Sequence, residues 1–127
     1  MELVAIVAAL ALIQYLYFAV RVGRARGTYG VKAPAVTGHP AFERHHRVHQ
    51  NTLEQLVLLL PGLWLFATYV NPGGAAALGL LFVIGRAVYA QRYVAAPETR
   101  GPGSILTTLA VALLLLGGLI GAILRLV

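Results

Sequence analysis

The sequence predicts an all-α membrane protein, a bundle of four transmembrane helices, and three observations carry that expectation. Of its 127 residues, 59% are hydrophobic and only 11% charged, against about 25% charged in an average soluble domain. Mean hydropathy is +0.79. Four mainly apolar stretches take up most of the chain, each close to the ~20 residues that cross a bilayer. One membrane domain over residues 1–127 is expected, with no room for a soluble second domain.

The first helix is expected over about 3–22. Glu2 follows Met1, and the positive cluster Arg21, Arg24 and Arg26 comes after the apolar run. A secretory leader has the opposite order, so a retained span is expected. Tyr15, Tyr17 and Phe18 suit the membrane interface. Residues 21–39 read as a polar connection rich in Gly, Arg and Pro. Gly38-His39-Pro40 then reads as a helix start with proline in the first turn. The second helix should run over about 40–70, with three polar turns projecting from the membrane. Pro61 lies inside it and should kink it, because proline lacks a backbone donor and crowds the preceding turn.

Asn71-Pro72-Gly73-Gly74 reads as a tight turn. The third helix is expected over about 75–93. A short loop leads to the fourth, about 104–125. Gly117 and Gly121 form a small-xxx-small pair, a mark of close helix packing within or between subunits. Basic residues set the orientation. Arg21, Arg24, Arg26, Lys32, Arg44 and Arg47 lie in the first connection, Arg92 and Arg100 in the third, and only Arg125 on the other side. The positive-inside rule puts both charged connections in the cytoplasm and both termini outside. The net charge of +6 therefore reads as membrane orientation, with no nucleic-acid partner.

Composition also excludes chemistry. There is no cysteine, hence no disulfide, thiolate metal site or cysteine nucleophile. There is no aspartate either, since the four acids are Glu2, Glu43, Glu54 and Glu98. Ser-His-Asp triads and aspartyl dyads are excluded. His45 and His49 stand at i, i+4, a spacing that can ligate zinc. They lack a third ligand and sit among arginines, so no metal is expected.

Charges within spans are costly and are functional candidates. Glu54 lies just inside the second span, and Arg86 lies about two turns before the end of the third. The two helices are antiparallel, so both charges approach one membrane face, where a structural ion pair would offset their desolvation. Their neighbours extend the pattern. Arg47, Asn51 and Glu54 are spaced i, i+4, i+7, and Arg86, Tyr89 and Tyr93 are spaced i, i+3, i+7; each set shares a helical face. Arg26 and Arg100 rim the same side. Arginines bind carboxylates bidentately, glutamate accepts from an ammonium and tyrosines donate. The pattern fits a small polyanion with at least one positive group, better a peptide-like zwitterion than a nucleotide.

Two blocks carry a family resemblance. Phe42-Glu43-Arg44 followed by Arg47-Val48-His49-Gln50-Asn51-Thr52-Leu53-Glu54 resembles the R-x-x-x-N-x-x-E core of the MAPEG family, the membrane-associated proteins in eicosanoid and glutathione metabolism. The run from His49 to Glu54 is similar to that of its type-three microsomal glutathione transferases and their bacterial relatives. Gly85-Arg86-Ala87-Val88-Tyr89-Ala90-Gln91-Arg92-Tyr93 matches the family's R-x-x-Y-x-x-x-Y. Departures are Gln55 and Leu56 where a tyrosine is common, Val57 where a proline is usual, and Gly27 after Arg26.

The resemblance implies a homotrimer of four-helix subunits that binds glutathione between neighbours, near the cytoplasmic surface. It implies glutathione contacts from Arg26, Arg47, Asn51, Glu54, Arg86, Tyr89 and Tyr93, with Arg100 stabilising the thiolate. The implied activity is a glutathione transferase or peroxidase. Glutathione is its co-substrate, and a lipophilic electrophile or lipid hydroperoxide entering from the membrane lipids is its second substrate. A non-catalytic lipid- or glutathione-binding protein on the same scaffold is the alternative. Small multidrug transporters, of similar length, carry a glutamate in the first span, where this chain has only Gln14. Nine of its ten basic residues are arginine, and with abundant Ala, Leu and Gly they point to GC-rich coding and a bacterial inner membrane.

Overall fold

The computed structural model describes residues 1–127. It contains four long helices, α1 (Glu2–Tyr29), α2 (Pro40–Tyr69), α3 (Pro72–Ala95) and α4 (Gly101–Leu126), with one 3-10 turn at Pro97–Thr99. All four are long and apolar enough to cross a membrane. α1 and α4 each pack on α2 and α3, so they flank the central α2–α3 pair from opposite sides.

Local chemistry sets the helix ends. His39 caps α2, its Nδ1 accepting from the Ala41 amide at 3.1 Å, and Pro40 occupies the first turn. The Glu43 carboxylate accepts from the Gly38 amide at 3.2 Å. Asn71 caps α3 by accepting from the Gly74 amide at 2.8 Å. α2 continues through Pro61.

α1 corrects the expectation for residues 21–39. It runs two turns beyond residue 22 and ends at Gly30, whose φ of 68° is left-handed and whose N–H returns to the Arg26 carbonyl. The glycines at 23 and 27 oppose helix by roughly 1 kcal/mol each. Packing outweighs them, because Val22 and Ala25 bury against Val31 and Phe42 of the chain that turns back into α2. At 1.5 Å per residue, α1 with its 28 residues and α2 with its 30 exceed the ~30 Å hydrocarbon thickness. Their adjoining ends therefore project together beyond it.

The interior is assembled from small and aliphatic side chains. Ala11, Leu59, Leu63, Ala75, Phe82, Ala110 and Leu114 form its centre. Glycines let α4 approach closely. A methyl on Gly118 would sit 2.7 Å from Leu65 Cβ, and one on Gly121 2.6 Å from the Tyr69 carbonyl oxygen. The Gly117–Gly121 stripe thus serves α2–α4 packing within the subunit. Large apolar residues such as Leu16, Val57, Ile105, Leu116 and Ile120 remain exposed, as lipid-facing positions should. Gln14, the polar residue inside the first span, donates to the Val83 carbonyl at 2.9 Å and ties α1 to α3.

Candidate functional site

A polar cavity of about 260 Å³ lies among α2, α3 and the start of α4. α2 contributes Arg47, Asn51 and Gln55, each about one turn beyond the last. α3 contributes Arg86, Tyr89 and Tyr93, and Arg100 closes the end just before α4. Three arginines line the cavity and no acid does, so it is strongly electropositive.

Arg86 is its best-determined member. The side chain is 1% exposed and its Nη2 donates to the hydroxyl of Thr52, itself fully buried, at 2.9 Å. Its guanidinium stacks on the Tyr89 ring, 4.2 Å from the centroid. Tyr89 in turn stacks with Tyr93, ring centroids 5.5 Å apart. The Arg86 Nε is buried without a hydrogen-bond partner. An unmatched buried donor is costly.

The Glu54–Arg86 ion pair does not form. Glu54 accepts from Arg47 at 3.5 Å, with both side chains about half exposed. Geometry explains the exchange: Arg47 shares Glu54's helix face, while the α2–α3 contact presents Thr52 to Arg86. Glu54 thus stands beside the cavity, attached to it through Arg47. Arg100 is exposed, and its Nη1 donates to the Pro97 carbonyl at 3.0 Å, so the 3-10 turn holds it in place.

Arg26 stands apart from the group within the chain. It donates to the Ala35 carbonyl at 2.7 Å and its guanidinium lies 4.8 Å from the Phe42 ring centroid. That fastens the end of α1 to the connection and to α2. His49 stacks on Tyr15 at 4.4 Å, and no group of three metal-ligating side chains gathers anywhere in the chain.

Gln55, Ser104, Thr107 and Thr108 also line the cavity and were not among the expected residues. The signal was present in part. Gln55 continues the Asn51 face at i+4, and Ser104, Thr107 and Thr108 are hydroxyl residues sharing one face of an otherwise apolar helix. Ser104 and Thr108 also border a shallow, largely apolar groove along α4 with Ile105, Leu109 and Ala112. The polar cavity therefore adjoins an exposed apolar surface of α4.

The profile of the MAPEG family matches residues 4–120. The chain belongs to the MAPEG family. It is accordingly an integral membrane protein. An uncharacterized protein of Synechocystis sp. is 49% identical over 116 residues, covering 91% of this chain and 85% of that one. Microsomal glutathione S-transferase 2 of Homo sapiens is 41% identical over 119 residues, covering 94% of this chain and 81% of the human protein. Leukotriene C4 synthase of Cavia porcellus is 36% identical over 98 residues, 77% of this chain and 65% of that protein. These named relatives include a type-two transferase, where the His49–Glu54 run resembles type three.

Proposed function

We propose that this MAPEG chain is a membrane-embedded glutathione transferase that activates glutathione as its thiolate for attack on a lipophilic electrophile. The observation that carries the reading is the cavity lined by three arginines and no acid, adjoining an apolar groove on α4. Its relatives named as glutathione S-transferases support the same substrate.

Glutathione carries two carboxylates, one ammonium and a thiol. Arg47 and Arg86 supply charge-assisted donors for the carboxylates, Glu54 accepts from the ammonium, and Asn51, Tyr89 and Tyr93 add neutral contacts. Arg100 is the remaining lining cation and is assigned to the sulfur. A free thiol has a pKa near 8.5, and a nearby cation lowers it. Each unit is worth about 1.4 kcal/mol. The nucleophile belongs to the substrate, which accommodates the absence of cysteine. In conjugation an S–C bond forms, and either a leaving group departs with its electron pair or the new carbanion takes a proton. With a lipid hydroperoxide, two glutathione molecules would be oxidised to the disulfide while ROOH is reduced to ROH and water.

The working unit in this reading is a homotrimer. The cavity's ~260 Å³ falls below the ~300–1,000 Å³ of most small-molecule sites, so a neighbouring subunit would supply a missing wall. Arg26 enters the reading only through such a neighbour. By the positive-inside rule the basic ends, and with them the cavity, face the cytoplasm, of a bacterial inner membrane on the compositional argument.

Rapid mixing of the solubilised protein with glutathione, followed by ultraviolet thiolate absorbance, tests the proposal. Wild type should develop the signal. Arg100→Ala should bind glutathione but lose most of it, its thiol pKa returning toward about 8.5 and its thiolate appearing only at higher pH. Turnover should fall far more than affinity. Equal loss of both would move Arg100 from chemistry to binding. Bound glutathione without thiolate in the wild type would favour the non-catalytic reading.

A further inference from the structure

A second cavity, about 350 Å³, lies on the opposite side of α3, enclosed by α1, the start of α2 and the end of α3. It shares no residue with the arginine cavity. α2 and α3 together separate them: His45 and Val48 of α2 and Ala87, Ala90, Gln91 and Val94 of α3 line this cavity, whereas Arg47 and Asn51 of α2 and Arg86, Tyr89 and Tyr93 of α3 line the other.

The lining is amphipathic in a definite order. Phe18 and Val48 form an apolar floor, 6% and 2% exposed, with the small side chains of Ala87 and Ala90 leaving the space open. Arg21 and His45 stand among the lining residues, and no acid does. Arg21 is held in place, its Nη1 donating to the Tyr17 hydroxyl at 2.9 Å, with its guanidinium 5.6 Å from that ring's centroid. Tyr17 and Arg21 lie where α1 passes from its apolar run into its basic end, the level of a headgroup region. Basic pockets between transmembrane helices at that level hold anionic headgroups.

We propose that this cavity is a binding site for one anionic phospholipid per subunit, with the phosphate on Arg21 and His45 and acyl chain laid over Phe18, Val48 and Ala90. Charge chooses the anion, since the rim offers the Arg21 guanidinium beside the His45 imidazole and no carboxylate. Shape requires a chain, because a free phosphate would leave the apolar floor uncovered. The site is separate from the arginine cavity and does not depend on what that cavity binds.

Native mass spectrometry of the full chain, released from micelles doped with dioleoyl phosphatidylglycerol, dioleoyl phosphatidylcholine or oleate, tests the proposal. One phosphatidylglycerol per subunit should be retained, in preference to phosphatidylcholine. Arg21→Gln should weaken retention about fivefold, the effect of one basic group near a lipid surface. Arg24→Gln, on the same helix but outside the cavity, should leave it unchanged. Ala87→Leu should reduce retention by filling the space without altering charge. Glutathione binding should be unaffected by Arg21→Gln. Equal retention of both phospholipids, equal losses in Arg21→Gln and Arg24→Gln, or an unaltered Ala87→Leu would overturn the proposal. Preference for oleate over phosphatidylglycerol would overturn the phospholipid assignment.

Discussion

Replacing Thr52 by valine removes the one side-chain oxygen that Arg86 of the arginine cavity is bonded to. Thr52 is fully buried and Arg86 is 1% exposed. The hydroxyl accepts from Arg86 Nη2 at 2.9 Å and donates to the Val48 carbonyl at 2.7 Å. Valine has nearly the same shape, so packing is retained while both hydrogen bonds are lost. A hydrogen bond to a charged group contributes about 1.5–3 kcal/mol. The loss falls on a guanidinium whose Nε is already without a partner, which places the expected destabilisation near ~2 kcal/mol. Part of it should appear in ligand affinity, because Thr52 helps to hold Arg86 over Tyr89. A share of ~1.4 kcal/mol is tenfold in Kd. Denaturant titration in mixed micelles reads stability, and calorimetry with glutathione reads affinity. Thr52→Ser keeps the oxygen and should retain most of the affinity. Wild-type stability and affinity in Thr52→Val, or an equal loss of affinity in Thr52→Ser, would refute the positioning role.

Three further outcomes are expected. Glu54→Ala should weaken glutathione binding while costing less than about 1 kcal/mol of stability, because its pair with Arg47 is half exposed; unchanged affinity by calorimetry would make Glu54 structural. Gly103→Ala would drive a methyl into the Tyr89 backbone, an overpacking of about 1–3 kcal/mol seen as a lower melting temperature and weaker ligand binding; wild-type melting would contradict the tight α3–α4 contact. Arg26→Ala and Arg47→Ala subunits, each defective alone, should recover glutathione binding when co-assembled, because in the proposed trimer an intact Arg26 would meet an intact Arg47 of another subunit; no recovery would place Arg26 outside the site.

By itself the sequence determined the four spans and most of the arginine cavity. Lipid-facing helices must be continuously apolar, so their lengths are written in the hydropathy. Helical spacing alone aligns Arg47 with Asn51, and Arg86 with Tyr89 and Tyr93. What spacing could not decide is which groups meet across helices. Arg86 pairs with Thr52 rather than Glu54 because the contact between α2 and α3 selects the partner, and the expectation had followed charge. The extra turns of α1 were hidden by its glycines, whose cost is local, while the burial of Val22 and Ala25 against Phe42 arises only once the chain has turned back. Gln55, Ser104 and Thr107 joined the cavity for a similar reason. Their faces become polar walls only when α4 closes on α2 and α3, a distance set by glycines rather than by the polar residues themselves. The separation of two cavities by the α2–α3 pair was likewise decided by packing, since Tyr89 and Ala90 are only about 100° apart on their helix and the neighbouring helices decide which cavity each one lines.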